Sequence, residues 1–307
     1  MKVWQADLAL ILGGVLWGLA YIFSSRALAD CPPSLFLLLR FSVATAACWL
    51  LLRRSIAKTS SKVRRQGLIL GFLMGGGYIL QIYSINFTEV ARAAFLTCMC
   101  LLGIPILNFL IFRTVVKLHS LIGVIMATVG LYIFLDPSFT GVNVGDVLGL
   151  IAIPVWALYM IYVSVFTEGQ DDAEITYQYL FWQLVGVLPL ALITALVFES
   201  GWLLAPLHPD LGKALTWTRS FVGGLLFTGL AGSLVPVFLQ TRSQKYTTAV
   251  QAMLCFQVEP VTATVAAFLV LGEPVFVHTV VGGAIILAAV IVSEVGGLWL
   301  AKRNASS

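Results

Sequence analysis

From residue 8 to residue 298 the chain alternates between long apolar runs and short polar breaks. The runs fall at 8–25, 33–52, 67–86, 93–112, 118–135, 146–166, 176–198, 220–240, 247–271 and 276–298. A helix needs about 20 consecutive apolar residues to cross the hydrocarbon core of a bilayer, and each run is close to that length. The runs are apolar on nearly every position, so they predict helices in lipid and not the one-sided helices of a water-soluble core. Most breaks are short, which makes successive helices antiparallel neighbours. The pattern predicts an all-α integral membrane protein with ten transmembrane helices.

Composition agrees. Of 307 residues, 60% are hydrophobic and 10% charged, with a mean hydropathy of +0.98. Soluble domains carry about 25% charged residues, too many for this chain to imitate. A net charge of +4, clustered as it is, excludes nucleic acid as a partner. The bilayer and a small-molecule substrate are the partners to expect, with monomer and homodimer both open. Five cysteines (Cys31, Cys48, Cys98, Cys100, Cys255) form no disulfide framework and no CxxC pair, and read as small buried hydrophobes.

Lysine and arginine placement sets orientation, because cytoplasmic loops collect them. The segment 53–65, "RRSIAKTSSKVRR", holds six. With that segment inside, Lys2, Arg113, Lys117, Arg242, Lys245, Lys302 and Arg303 fall on the same side. Arg26, Arg92, Lys213 and Arg219 fall outside, and Arg40 lies within a helix. Both termini are therefore expected in the cytoplasm of a multi-pass inner or plasma membrane protein. The acidic segment 167–175, "TEGQDDAEI", also falls inside, which the rule tolerates because acidic residues count little. Ala27-Leu28-Ala29 resembles a signal-cleavage site, but Arg26 and the repeat described next favour an uncleaved helix. The basic segment suits anionic lipid on the inner leaflet or simple solvation.

The chain repeats itself. "ADLALILGGVLW" at 6–17 aligns with "GDVLGLIAIPVW" at 145–156, pairing Asp7 with Asp146 and Trp17 with Trp156. Pro105 pairs with Pro260, and His119 with His278 after a short insertion. The reading is two units, 1–139 and 140–307, of five helices each. An odd number of spans per unit forces opposite orientations, giving the inverted repeat that secondary transporters build around a midplane site.

The segments "LWGLAYIFSSRAL", "LLLRFSVA", "EPVTATVAAFLVLGEP" and "VGGAIILAAVIV" resemble the EamA family of the drug/metabolite transporter superfamily. The likeness covers nearly the whole chain, and the Glu-Pro and Leu-Gly-Glu-Pro pair is its most specific part. It implies two inverted five-helix repeats and alternating-access transport of small metabolites, often amino-acid efflux. It names no substrate. The chain departs from the family pattern after the fourth run, where Arg113-Thr114 stands in place of an expected Gly-Glu.

Two charges lie inside apolar runs, where a charge costs about 2.5–3.5 kcal/mol and therefore tends to face a cavity or a partner. Glu259 sits mid-run before Pro260. It reads either as a transport carboxylate, protonated or paired with a cation, or as a group that satisfies backbone freed by the proline. Gln251, Cys255, Glu259 and Thr262 have the spacing of one helix face, whereas Leu96, Cys100 and Ile104 in the first unit lack those polar groups. Arg40 reads as a binder of substrate carboxylate or as a partner of Glu259, with snorkelling as the alternative. Its positional counterpart is Gln183. Trp17 with Tyr21, Tyr78 with Gln81, the stripe Trp156, Tyr159 and Tyr162, and the face Tyr179, Trp182 and Gln183 supply rings and amides for a cavity wall, or else plain packing. Gly75-Gly76-Gly77 and Gly223-Gly224 suit close helix crossings or hinges. Asp7 and Asp146 are expected to open and cap their helices.

Rival readings have less to stand on. An intramembrane enzyme needs clustered chemistry, and the three histidines (119, 208, 278) are far apart in sequence. "GVNVGD" at 141–146 lacks the Gly-x-Gly-Asp of aspartyl intramembrane proteases. A non-transporting sensor or assembly partner is the second alternative, and nothing resembling a signalling domain is expected beside the ten runs. No ATP-binding motif, cofactor motif or metal-ligand spacing is present, so the expectation is a secondary transporter without cofactor.

Overall fold

The computed structural model describes residues 2–88, 93, 96–113, 117–135, 143–170, 172–201, 215, 217–271 and 275–305. Those residues form helices and no strands. In chain order they are α1 (Val3–Ala27), α2 (Pro33–Ile56), α3 (Ser61–Phe87), α4 (Cys100–Phe112), α5 (Leu118–Leu135), α6 (Val144–Thr167) and α7 (Ala173–Phe198). Then follow α8 (Arg219–Gly229), a π-turn (Leu230–Leu234), α9 (Val235–Ser243), α10 (Ala249–Phe256), α11 (Val258–Leu271) and α12 (Val277–Ala305).

Seven segments are long and apolar enough to span a bilayer: α1, α2, α3, α6, α7, Arg219–Tyr246 and Ala249–Val270. Three further apolar stretches, Leu96–Phe112, Leu118–Phe134 and Val277–Ser293, are shorter. At 1.5 Å per residue, such lengths reach about 25 Å, just under the roughly 30 Å hydrocarbon thickness. The chain is thus a multi-pass membrane protein. Of the ten expected spans, seven meet the full length among the described residues.

Helix boundaries follow local chemistry. Ser60 and Thr218 cap α3 and α8 by accepting from Val63 N and Phe221 N. At α6, Asn143 and Asp146 form a reciprocal capping box, with bonds of 3.0 and 2.9 Å. Asp146 therefore caps as expected. Asp7 does not, because α1 already begins at Val3 and places Asp7 buried beyond its first turn.

Glycine decides where helices can touch backbone to backbone. A Cβ on Gly71 of α3 would lie 2.6 Å from Gly186 Cα of α7, and one on Gly186 would lie 2.8 Å from Gly71 Cα. Larger side chains there would push the two helices apart. Gly77 likewise makes room for the Trp156 ring, at 2.6 Å from a would-be Cβ. The pair Gly223-Gly224 is different: nothing lies within 4 Å of Gly223 and only ordinary contact surrounds Gly224, so no tight crossing exists there.

The packing pairs α5 with α12, α2 with α7, α3 with α6 and α7, and α1 with α11 and with α8–α9. One end of the bundle joins the last turn of α2 and the segment after it to the start of α7, through Gln178 donating to Ser55 O at 3.0 Å and Lys58–Glu174 at 3.6 Å. At the other end Glu199 clamps the start of α2, accepting from Ser34 N (2.8 Å), Leu35 N (2.9 Å) and the Tyr83 hydroxyl (2.6 Å). A carboxylate at a helix N-terminus meets both free N–H groups and the positive end of the dipole. All five cysteines are buried and none forms a disulfide.

Candidate functional site

Where α1, α2, α3, α4, α6, α10 and α11 converge, the bundle surrounds a narrow, partly open cavity of about 60 Å³. That is room for a few waters or one very small solute, well below the roughly 300–1,000 Å³ of common ligand pockets. Eight of the eleven side chains singled out from the sequence line it: Trp17, Tyr21, Arg40, Tyr78, Gln81, Trp156, Tyr159 and Glu259.

Arg40 on α2 is 4% exposed and held from several sides. Its Nε donates to Ser233 Oγ at 2.7 Å, and Nη2 to Gly232 O at 2.8 Å. Both partners belong to the π-turn, whose i to i+5 pattern changes which carbonyls are free. The guanidinium also lies 5.1 Å from the Tyr78 ring centroid and 5.7 Å from that of Phe41, distances at which a ring face attracts a cation. Neutral oxygens and ring faces therefore hold Arg40, and no carboxylate among the described residues pairs with it. Snorkelling is ruled out by its burial.

Glu259 on α11 is 7% exposed. The Tyr21 hydroxyl donates to its carboxylate, and Gln81 Nε2 donates in turn to the Tyr21 oxygen at 2.5 Å. Gln81 also donates to Thr97 Oγ1 at 3.2 Å. Glu259 and Arg40 face the same cavity without forming an ion pair, which corrects the expectation of direct contact. The proline explains the local backbone. Pro260 has no N–H to offer Phe256 O and its ring crowds that carbonyl, so the helix breaks at Gln257 between α10 and α11. The repeat of the motif at Gly272-Glu273-Pro274 lies outside the described residues.

Trp17 and Trp156 approach the cavity from the two halves of the chain. Trp17 packs on Phe256 at 4.8 Å, and Trp156 meets Tyr78 edge-on at 5.0 Å. The indole Nε1 of Trp156 has no hydrogen-bond partner among the described residues, whereas that of Trp17 is turned to the Tyr78 hydroxyl. Buried donors are nearly always paired, so the Trp156 donor, in the same cavity wall as a buried guanidinium, marks a place for an acceptor.

Three expected residues lie elsewhere. Gln183 is fully buried behind Tyr159, accepting its hydroxyl at 3.0 Å and donating to Thr241 Oγ1 at 3.1 Å. Trp182 packs over Gly67, with the Arg64 guanidinium 5.9 Å from its ring centroid. Gln251 faces α12, where it accepts from Ser293 at 3.3 Å. The break at Gln257 is the reason Gln251 and Glu259 do not share a helix face. Sequence reading missed Ser24, Thr97, Met160, Met253 and Phe256 in the cavity wall. Ser24 was within reach, since Trp17, Tyr21 and Ser24 follow the four-and-three spacing of one helix face. Ser233 and Gly232 carried no such signal, because a π-turn leaves no mark in an apolar run.

A buried cavity fed by several spanning helices, with charges inside the bilayer core, belongs to the class of membrane transport proteins. The family model described as EamA-like transporter family matches residues 4–135 and again 143–294, and the chain belongs to that family. An uncharacterized transporter of Archaeoglobus fulgidus is 26% identical over 296 residues, covering 95% of this chain and 86% of the relative. The uncharacterized transporter YoaV of Bacillus subtilis is 21% identical, with 93% and 95% covered. A solved crystal structure matches 98% of this chain and 99% of its own with a TM-score of 0.73 at 15% identity, a likeness of fold alone. The chain is a membrane transporter.

Proposed function

We propose that the protein moves a small solute bearing both a carboxylate and an ammonium group, an amino acid or related metabolite, by alternating access through this cavity. The observation that carries the reading is the separation of charge within one cavity. Arg40 and the unpaired Trp156 indole offer N–H donors to a carboxylate, while Glu259 and the surrounding rings suit an ammonium. The cavity volume favours small solutes.

Several features support the alternating-access part. Exchanging residues 1–139 with 140–307 maps α3 on α6 onto α8–α9 on α1, and α4 on α6 onto α11 on α1, while α2 on α7 and α5 on α12 map onto themselves. Such packing suits two inverted five-helix units and a ten-span reading, with the shorter helices included. The broken helix Ala249–Val270 meets the first unit at its break, where Gln257 Nε2 donates to Cys98 O at 3.3 Å. Interrupted helices at a midplane site are the arrangement in which transporters bind substrate. The basic residues near the 53–65 segment support a cytoplasmic inner end, and His119 packed under Gly296 suits both chain ends on that side. Export is the direction that the family resemblance favours.

The test is thermal stabilisation of the purified protein by a panel of small amino acids, their decarboxylated amines and their deaminated acids, followed by liposome flux of each stabilising solute. Stabilisation and flux confined to the zwitterions bear the proposal out. Equal responses to amines or acids alone, or flux of none of the panel, refute it.

A further inference from the structure

A second open space lies away from the central cavity. At the end that carries the 53–65 segment, a crevice of about 600 Å³ opens between the start of α1, the start of α7 and the end of α9. We propose that this crevice holds the headgroup of an anionic phospholipid. The reading is independent of what the central cavity carries.

The argument rests on how one face of α9 changes along its length. Val235, Phe238 and Arg242 follow one another at three- and four-residue spacing, so they share a face. Val235 is 38% exposed, Phe238 half-buried and Arg242 exposed. The same open side of the segment includes Val222 and Leu226 of α8 and Leu230 of the π-turn. It therefore runs from apolar at mid-bundle to cationic at the helix end. Leu8 and Leu12 of α1, 56% and 50% exposed, form a second apolar rail beside it. Acyl chains fit the rails, and a phosphodiester fits their cationic end.

The crevice walls match that occupant. Arg242 lies 5.8 Å from the Phe238 ring centroid, and Phe238 stacks on Tyr177 of α7 at 6.0 Å. Lys245 sits at the mouth and donates to Gln170 O. None of the described residues lining the crevice is acidic, and Arg242 makes no ion pair among the described residues. Trp4, 51% exposed, and Tyr177 supply aromatic rings of the kind enriched at the headgroup level. Basic pockets between helices on the cytoplasmic side bind anionic headgroups. A free phosphate would use the cations and leave the rails without purpose.

The experiment is native mass spectrometry of the full chain, exposed to equal amounts of phosphatidylglycerol and phosphatidylcholine. The expected result is a preference on the order of tenfold for phosphatidylglycerol adducts, two cations each contributing to the attraction. Arg242→Gln/Lys245→Gln removes the preference, Arg242→Lys keeps it, and Arg53→Gln/Arg54→Gln in the basic segment leaves it intact. Because Arg242 is exposed, Arg242→Gln alone carries the test if the double variant is not monodisperse. Equal adducts of both lipids, or loss of preference only in the Arg53/Arg54 variant, overturns the proposal. Displacement of phosphatidylglycerol by an equal concentration of inorganic phosphate overturns it too, in favour of a soluble anion.

Discussion

Two polar regions lie buried in this bundle, and they are built on opposite plans. The central cavity holds a cation and a carboxylate that do not pair with each other and an indole donor, Trp156 Nε1, without a partner among the described residues. Below it, between α6, α7 and α9, lies a ladder of amides in which each member is satisfied. Tyr159 shares its hydroxyl proton between Gln183 Oε1 (3.0 Å) and Gln240 Oε1 (3.1 Å). Gln240 Nε2 donates to Gln244 Oε1 at 2.9 Å, and Gln244 Nε2 to Ser164 Oγ at 2.9 Å. Tyr159 belongs to both regions, its ring in the cavity wall and its hydroxyl in the ladder. The contrast separates adhesion from recognition. Polar groups that bond each other hold helices in register, and those left short of partners wait for a solute.

That contrast can be broken experimentally. The largest effect belongs to Arg40→Gln. A charge-assisted hydrogen bond contributes about 1.5–3 kcal/mol, so flux of the carboxylated solute should fall roughly tenfold to hundredfold while the protein stays monodisperse. Arg40→Lys should not rescue it, since an ammonium cannot reach Ser233, Gly232 O and a solute in the same plane. Normal flux in Arg40→Gln would remove the guanidinium from recognition. Gln240→Leu, in the ladder, should cost stability instead, by about 1–2 kcal/mol, read as a lower melting temperature with the solute preference unchanged. A changed preference would erase the boundary between the regions. Trp156→Phe keeps the ring and deletes one orphan donor, weakening solute binding about fivefold in a titration. The smallest effect lies outside both regions. Arg113 ends α4 at φ +56°, a left-handed conformation that disfavours L side chains by about 1 kcal/mol. Arg113→Gly should raise the melting temperature slightly without touching flux.

The sequence made the fold legible through run length and the two charges legible through their expense in lipid. Arg40 and Glu259 stood out because a bilayer core gives a cation or carboxylate no reason to be there unless the protein supplies one. The aromatic residues were partly legible, as Trp17, Tyr21 and Trp156 show. The ladder was misread: Gln183 was placed with the cavity because an amide in an apolar run looks alike whether it meets a solute or another amide. Gln251 was misassigned because helical spacing was carried through the break at Gln257. Arg113 was noted only as a departure from the family. Its backbone shows that it occupies a conformation suited to the glycine expected there.

The π-turn at Leu230–Leu234 also sets a phase. Each residue of a helix advances the side chains by about 100°, so one extra residue in that turn rotates everything after it relative to everything before. Deleting Ala231 would restore an even winding, yet swing Gln240 away from Tyr159 and turn Arg242 off its groove. A single inserted position thus lets one membrane crossing present two different faces to two different neighbours.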